Sequence, residues 1–155
     1  MTHDRFSVIP AVYVFLLRPP HTGGADEVLL QLRQGTGYRD DHWAAAVAGH
    51  VEKGETVYEA ALREAAEEAG IDEVALRPWC AMQRTGAGDP IDERVDYFFL
   101  ATSWRGTPRV MEPKKSAGLR WSALDDLPSP VVPHEERVLR SVLLGSTPPI
   151  VVEGF

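Results

Sequence analysis

Glutamate residues lie unusually close together on one predicted helix. The segment Gly49 to Ile71 contains several glutamates and a single arginine in an otherwise alanine-rich stretch. At about 3.6 residues per turn, Glu64, Glu67 and Glu68 fall within roughly 100° of arc, so the three carboxylates share one face of the helix. Like charges four residues apart repel each other, and the helix dipole opposes acids near the C-terminus. A cation is therefore expected beside this face.

Two sources of positive charge are available. Arg63 can pair with Glu59 or Glu67 four residues away on the helix, or with Glu55 in the preceding loop. The acids would then form an ordinary solvated surface. The other source is a hard divalent metal ion, which binds carboxylate oxygens, backbone carbonyls and water.

The helix that positions these acids is expected to begin at Thr56 and to end near Gly70. Thr56 and Glu59 form a capping-box pattern, in which the hydroxyl and the carboxylate each accept a hydrogen bond from a backbone N–H. Gly70 is the residue best able to adopt the left-handed conformation that follows a last helical turn.

The spacing of the charged residues resembles the Nudix box, the signature of the Nudix hydrolases. That pattern is a glycine, five residues, a glutamate, seven residues, Arg-Glu, an aliphatic residue, any residue, Glu-Glu, any residue, a glycine and an aliphatic residue. One aliphatic position is only Ala65, and the flanking VLLQLRQGTGYRDDHW and LRWSALDDLP segments are also similar to the family. The matching residues are Gly49, Glu55, Arg63, Glu64, Glu67, Glu68, Gly70 and Ile71.

The resemblance implies a metal site and a reaction. Glu64, Glu67 and Glu68 would hold Mg²⁺, or alternatively Mn²⁺, and the backbone carbonyl of Ala48 would be a further ligand. The reaction would be hydrolysis of a nucleoside diphosphate linked to another group X. Cations would neutralise the pyrophosphate charge and help to activate the attacking water.

The resemblance also implies roles for residues beside the metal site. Arg63 and Glu55 would form a buried ion pair that orients the helix. The proton of the attacking water would pass to a helix glutamate or to an acid outside the helix. In the MutT-like branch such an acid follows a Trp-x-Gly-x-Pro turn, and the segment WRGTPRVMEP places Glu112 there. Asp92 and Glu93 in an earlier loop are the alternatives.

Aromatic and acidic side chains are the candidates for recognising the base or X. Tyr38, Trp43 and Trp121 could stack on a ring, and Asp125 or Asp126 could accept hydrogen bonds from a base edge. Each of these residue types is also common in cores and on surfaces.

The expected substrate is a nucleoside triphosphate, cleaved to a monophosphate and pyrophosphate. Hydrolases of ADP-ribose and dinucleoside polyphosphates tend to carry a proline or tyrosine downstream of the box, where this chain has Gly86, Ala87 and Gly88. ADP-ribose or another nucleotide conjugate remains the alternative. His42 and His50, each without a paired carboxylate pattern, are interpreted as scaffold histidines.

Two other functional classes share the fold implied by the resemblance. A non-catalytic nucleotide-sensing or protein-binding module is expected to lose the metal-binding acids, whereas all three are present here. An isomerase branch needs a nucleophilic cysteine near the box, but Cys80 lies in a predicted strand and is interpreted as a small buried residue.

Composition restricts the partners and the compartment. A net charge of −7 argues against a surface for nucleic acid duplexes, so the expected partner is a small nucleotide. The single cysteine excludes an intrachain disulfide and suits a reducing compartment. Neither a signal-peptide pattern nor a bilayer-length apolar run is present, so no membrane is expected and the cytoplasm is the default location. The chain is expected to be a monomer or a homodimer.

The predicted architecture is a single Nudix hydrolase domain over residues 1–155, an α+β fold in which an α/β/α sandwich surrounds a central mixed β-sheet. The length suits one domain, and 44% hydrophobic and 25% charged residues are ordinary globular values. Strand patterns dominate, and two amphipathic helices can cover the sheet. The strands are expected within 6–17, 28–33, 74–85, 94–104 and 118–124, and the second helix within 134–144.

Overall fold

The computed structural model describes residues 5–86 and 88–155. Ala87, one of the residues used above to infer the substrate, lies outside the described residues. In the described part of the chain, the helices are α1 (Val57–Ala69) and α2 (Pro133–Leu144), and a short 3₁₀ turn covers Pro90–Asp92. The strands are β1 (Ile9–Arg18), β2 (Glu27–Arg33), β3 (Trp43–Ala45), β4 (Val47–His50), β5 (Arg77–Arg84), β6 (Arg94–Ala101), β7 (Ser116–Ala123) and β8 (Ile150–Glu153).

The strands form one mixed sheet in the order β3-β2-β1-β6-β5-β8. Strand β4 pairs with the first half of β1, and β7 pairs with β2. The β1–β6 and β5–β8 pairs are parallel, and the other strand pairs are antiparallel. Helix α1 covers one face of the sheet and α2 covers the other. The predicted α+β sandwich around a central mixed sheet is therefore confirmed.

The two faces of the sheet have separate apolar clusters, and the alternation of β1 supplies both. Val12, Val14 and Leu16 face α1, where small alanines of the helix allow a close approach. Tyr13 and Phe15 face the opposite way, toward Val138 and Leu139 of α2. Burial of both faces explains why β1 reads as a nearly continuous apolar run.

Helix α1 begins and ends as the sequence predicts, although its N-terminal cap is only partly the expected one. Thr56 Oγ1 accepts a hydrogen bond from the Glu59 N–H at 3.1 Å. The Glu59 carboxylate accepts a hydrogen bond from the Thr56 hydroxyl instead of a backbone N–H. Gly70 closes the helix with φ 65°, in the left-handed region that glycine adopts easily.

Three short strands were not predicted. Apart from Trp43 and Val47, the residues of β3 and β4 lack the β-branched and aromatic content of a typical strand, yet both strands pair in the sheet. Strand β8 follows α2 and adds a parallel edge strand to β5. None of the described helices is long and apolar enough to cross a bilayer.

Candidate active site

The acidic face of α1 lies against β4 at a point where β4 has no side chain. A Cβ added to Gly49 would overlap with the carboxylate of Glu64. Glu64 is buried, and burial raises the pKa of its carboxyl. The first glycine of the box therefore provides the space that the first helix acid occupies.

Arg63 ties the loop before α1 to the acids of the helix. Its guanidinium forms two hydrogen bonds with the Glu55 carboxylate, at 2.7 and 3.1 Å. It also donates to Glu64 at 2.8 Å, to Glu67 at 3.3 Å and to the carbonyl oxygen of His50 at 3.0 Å. The hydrogen bonds from Arg63 hold the pKa of Glu55 below its ordinary value. The expected Arg63–Glu55 pair is present, but its side chains are 25% and 14% exposed, so it is partly buried.

Glu68 points toward β4 from the next turn of the helix. Its carboxylate accepts a hydrogen bond from the Ala48 N–H at 2.9 Å. Burial raises the pKa of Glu68 to about 8, and the charges of Glu64 and Glu112 add to this effect. A carboxyl crowded in this way is stabilised in its ionised form by a nearby cation.

Glu112 reaches the acidic face from the loop between β6 and β7. This loop is bound to the C-terminal end of α1 through its backbone, since the Arg109 and Met111 N–H groups donate to the carbonyl oxygens of Ala69 and Glu68 at 3.0 and 3.4 Å. The amide of Gln34 donates to the Pro113 carbonyl oxygen at 2.7 Å and fixes the loop on its other side.

These acids line one open cavity of about 540 Å³, the acidic cavity. Two basic residues, Arg33 of β2 and Lys115, also line the acidic cavity. The Lys115 ammonium group lies 3.8 Å from the Glu112 carboxylate. Sequence reasoning missed both residues, because neither belongs to the box. The acids on its wall are Glu52, Glu64, Glu67, Glu68 and Glu112.

The acidic cavity has the donor chemistry of a divalent-cation site. Among residues 5–86 and 88–155, no three acidic, histidine or cysteine side chains already form a metal-binding group. The carboxylates instead use protein partners, Arg63 for Glu64 and the Ala48 N–H for Glu68. Hard oxygen donors, a raised pKa at Glu68 and mutual repulsion all suit a cation such as Mg²⁺.

A second cavity of about 380 Å³ lies beside the first, on the α2 side of the sheet. Arg33, Ala48, Gly49 and His50 line both cavities and form a shared wall. Tyr38 and Ile91 are exposed residues at the second cavity. Its other charged and polar lining residues are Tyr13, Arg84, Asp92, Arg94, His134 and Glu135.

The predicted ring-binding residues are not brought together. Tyr38 lines the second cavity, whereas Trp43, Trp121 and Asp125 line neither cavity. Trp43 packs beside the apolar cluster on the α2 side, and Trp121 stacks on Trp104 with ring centroids 6.2 Å apart. Their packing against the protein explains why these two rings are not available at the cavities.

The remaining candidates also separate. Asp92 lines the second cavity, and Glu93 accepts a hydrogen bond from the Thr85 hydroxyl at 2.6 Å, so neither lines the acidic cavity. His42 contacts the carbonyl oxygen of Asp40, in keeping with a scaffold role. Asp126 is exposed at the turn after β7 and lines neither cavity. Cys80 is buried in β5, as predicted.

Comparisons with known proteins agree with this geometry. The NUDIX domain model matches residues 8–142. The MutT NUDIX hydrolase from Burkholderia pseudomallei is similar over 88% of this chain and 98% of its own, with 28% identity and a TM-score of 0.77. The Mutator MutT protein from Bacillus halodurans is 23% identical over 94% of this chain and 87% of its own, with a TM-score of 0.67.

A further similar structure was solved with a nucleotide ligand. It is the NUDIX domain of Shewanella oneidensis NrtR complexed with ADP ribose, 16% identical over 88% of this chain and 86% of its own, with a TM-score of 0.70. At that identity the likeness shows a shared fold. No curated protein matches the sequence.

Proposed function

Because the chain belongs to the NUDIX family and is a MutT-like hydrolase, we propose that it is a metal-dependent pyrophosphohydrolase acting on a nucleoside diphosphate linked to X. The proposed substrate is a nucleoside triphosphate, which yields a monophosphate and pyrophosphate. Residues 1–155 would form one such domain, acting in the cytoplasm as a monomer or homodimer.

The convergence of carboxylates from two separate parts of the chain supports this proposal most strongly. Glu64, Glu67 and Glu68 come from α1, and Glu112 comes from a loop more than 40 residues later, yet all four line one cavity. Glu64 is buried there, Glu68 is half-buried, and the pKa of each carboxyl is raised. Such crowding costs stability, and it suits a site whose ligand brings positive charge.

A divalent ion held by Glu64, Glu67, Glu68 and the Ala48 carbonyl would supply charge neutralisation for the pyrophosphate oxygens. The protein's own groups then position the reactants. Arg63 keeps Glu64 and Glu67 oriented by hydrogen bonds, and so acts as a positioning residue. Arg33 and Lys115 lie on the cavity wall, where their charges can bind phosphate oxygens.

Glu112 is the proposed acceptor of the proton from the attacking water. It lines the acidic cavity together with the helix acids, and its side chain is 40% exposed, so water reaches it. Its loop is fixed to α1 by backbone hydrogen bonds, which hold the carboxylate near the reacting phosphate. Asp92 and Glu93 are less suitable, because neither lines this cavity.

ADP-ribose or another nucleotide conjugate is the second candidate substrate. The observation that favours it is the ADP ribose bound to the similar Shewanella oneidensis domain. A purely nucleotide-sensing role is disfavoured because the acids remain assembled, and an isomerase role because Cys80 is buried on the α2 side of the sheet.

A substrate panel with a metal titration tests the proposal. Nucleoside triphosphates, oxidised nucleotides, ADP-ribose, dinucleoside polyphosphates and nucleotide sugars are each incubated with Mg²⁺, with Mn²⁺ and with a chelator. We expect hydrolysis that requires the metal and strongly favours one substrate class. Ligand binding that raises Tm without turnover of any panel member would instead identify a sensor.

A further inference from the structure

Two arginines face each other on the floor of the second cavity. In the antiparallel β5–β6 pair, Arg84 lies directly opposite Arg94. Like charges in directly opposite positions of a sheet destabilise the pair. Both side chains are mostly buried, at 15% and 14% exposed, so solvent screens their repulsion poorly. Such an arrangement needs compensating negative charge.

The protein supplies only part of that charge. Asp96, two residues after Arg94 on the same face of β6, is fully buried. Its carboxylate accepts a hydrogen bond from Arg84 Nε at 2.8 Å, but its other oxygen lies 3.8 Å from Arg94 Nε. The second distance is too long for a hydrogen bond. One carboxylate therefore stands against two guanidinium groups.

Arg94 is the incompletely paired member of this group. Its Nε is buried and has no hydrogen-bond partner among the described residues, and the Asp96 oxygen facing it is also without one. Buried donors on charged groups are almost always hydrogen-bonded, because an unpaired buried charge is costly. Arg84 uses Nε for Asp96, which leaves its terminal NH₂ groups for other acceptors.

The surrounding groups favour an anion at this place. Arg33 lines the same cavity from β2. Glu135 is fully buried and bound to the Ala45 N–H, and burial raises its pKa to about 7, which weakens its negative charge. The positive field also reaches His134, where burial first and then the charges of Arg84 and Arg94 lower the pKa. Asp92 is the remaining acidic lining residue, and it lies on the 3₁₀ turn at the side.

We propose that Arg84 and Arg94 bind an anionic group of the substrate, a phosphate monoester or a carboxylate, that is separate from the diphosphate to be cleaved. The planar guanidinium forks suit such groups, which accept two hydrogen bonds at once. Arg33, Ala48, Gly49 and His50 line both cavities, so the two cavities are adjacent and an extended ligand can reach from one into the other. This inference rests on the proposed function, in which the acidic cavity receives the diphosphate.

Matched substrate pairs test the proposal on the unmodified protein. UDP-glucose and UDP-glucuronic acid differ by a carboxylate, and NADH and NADPH, like dephospho-coenzyme A and coenzyme A, differ by one phosphate monoester. We expect kcat/KM with Mg²⁺ to favour the anionic member of at least one pair by about 10- to 100-fold, the size of charge-assisted hydrogen bonds. Equal values within every pair would overturn the proposal and leave a neutral base as the occupant.

Variants of Arg94 test whether a preference for the anionic substrate arises at the site formed by Arg84 and Arg94. Arg94→Met should abolish it, Arg94→Lys should retain part of it, and Arg140→Gln, at an exposed arginine of α2, should leave it unchanged. Arg94→Met is also expected to keep or raise Tm, because it removes an incompletely paired buried charge. A preference that persists in Arg94→Met would refute the assignment. Should Arg94→Met fail to fold, the ratio in Arg94→Lys decides the question.

Binding without metal separates this inference from the proposed hydrolysis. Each pair is titrated calorimetrically into the full chain in the presence of a chelator. Tighter binding of the anionic member, lost in Arg94→Met, supports the subsite even if no panel member is hydrolysed. Equal binding of both members, in a protein that hydrolyses nucleotides with Mg²⁺, overturns the subsite and leaves the proposed function intact.

Discussion

The Glu64 carboxylate occupies the space beside Gly49 that a side chain at position 49 would fill. Strand β4 and helix α1 can therefore approach each other closely at the acidic cavity. The conformation of Gly49 is open to any residue, since its φ is not in the left-handed region. Position 49 therefore needs glycine only because there is no space for a side chain. A substitution there tests whether the Glu64 carboxylate must lie beside β4.

Gly49→Ala is expected to lower metal-dependent hydrolysis strongly, because the new methyl group would displace the Glu64 carboxylate. Stability should fall less than activity, since the backbone can keep its conformation. The matched control is Gly88→Ala, where an added Cβ would make only ordinary contact, at 3.7 Å from the nearest carboxylate oxygen of Asp92. Kinetics and thermal melts of both variants measure the difference. Full activity in Gly49→Ala would show that Glu64 need not stay in place.

Glu68→Gln is expected to lower turnover by about 100-fold or more while leaving the fold intact. The amide oxygen can still accept the hydrogen bond from the Ala48 N–H, and removal of one crowded charge relieves repulsion. Glu67→Gln should act in the same direction. Magnesium titrations of activity and thermal melts provide the measurements. Near wild-type activity in Glu68→Gln would rule out the proposed metal cluster.

Arg63→Ala is expected to lower Tm, in contrast to Glu68→Gln. Arg63 holds Glu55 with two hydrogen bonds and also binds Glu64, so its loss leaves neighbouring acids without a partner. Arg63→Lys should recover only part of the loss in Tm. A lysine keeps the positive charge but cannot reproduce the two paired hydrogen bonds with the Glu55 carboxylate. An unchanged melting curve in Arg63→Ala would show that the network does not support the helix.

Cleavage in oxygen-18 water identifies the phosphorus that is attacked. For a nucleoside triphosphate we expect the label in pyrophosphate, which means attack at the β-phosphorus. Stabilisation acts where charge develops in the transition state, and the proposed site holds its charges beside the inner phosphates. Mass spectrometry of the products gives the answer. Label in the monophosphate would place the attack at the α-phosphorus, and orthophosphate as the primary product would contradict the mechanism.

The neighbouring residues His134 and Glu135 should impose opposite pH dependences on the free energy of unfolding. Burial lowers the pKa of His134 from 6.5 to about 3, so only the unfolded chain binds its proton in that range, and stability falls as the pH drops through it. Burial raises the pKa of Glu135 from 4.5 to about 7, so stability falls as the pH rises through that interval. Each slope can approach about 1.4 kcal/mol per pH unit.

Denaturant unfolding between pH 4 and pH 8 separates the two effects. Relative to wild type, His134→Gln should gain stability as the pH falls below 6.5, and Glu135→Gln should gain stability as it rises from 4.5 to 7. Parallel curves for the wild type and either variant would contradict the expected pKa of that residue. Comparison with wild type cancels the contribution of Glu68, which titrates in all three proteins.

The parts of the molecule that sequence predicted are those with a local pattern. The ends of α1 depend on Thr56 and Gly70, and the acidic face depends on helical spacing, so both could be inferred from neighbouring residues. Strand β3 could not be predicted in this way. Small residues such as Ala44 and Ala45 have little strand preference of their own, and they form a strand only because they pair with β2.

The second cavity was not predicted for the same reason. Its charged group combines Arg84 of β5 with Arg94 and Asp96 of β6, and no spacing within one segment reveals that these three side chains meet. Trp43 and Trp121 were attractive ring-binding candidates by residue type, but packing, which sequence does not show, decided their positions.

The attachment of the Glu112 loop to α1 has a consequence for sequence change. One of the hydrogen bonds that hold it comes from a side chain, since the Arg109 guanidinium donates to the Gly70 carbonyl oxygen at 3.3 Å. The other two come from the backbone N–H groups of Arg109 and Met111, which almost any residue except proline can supply. During evolution the loop can therefore exchange its side chains, and with them its contacts to different substrates, while the carboxylate of Glu112 keeps its place.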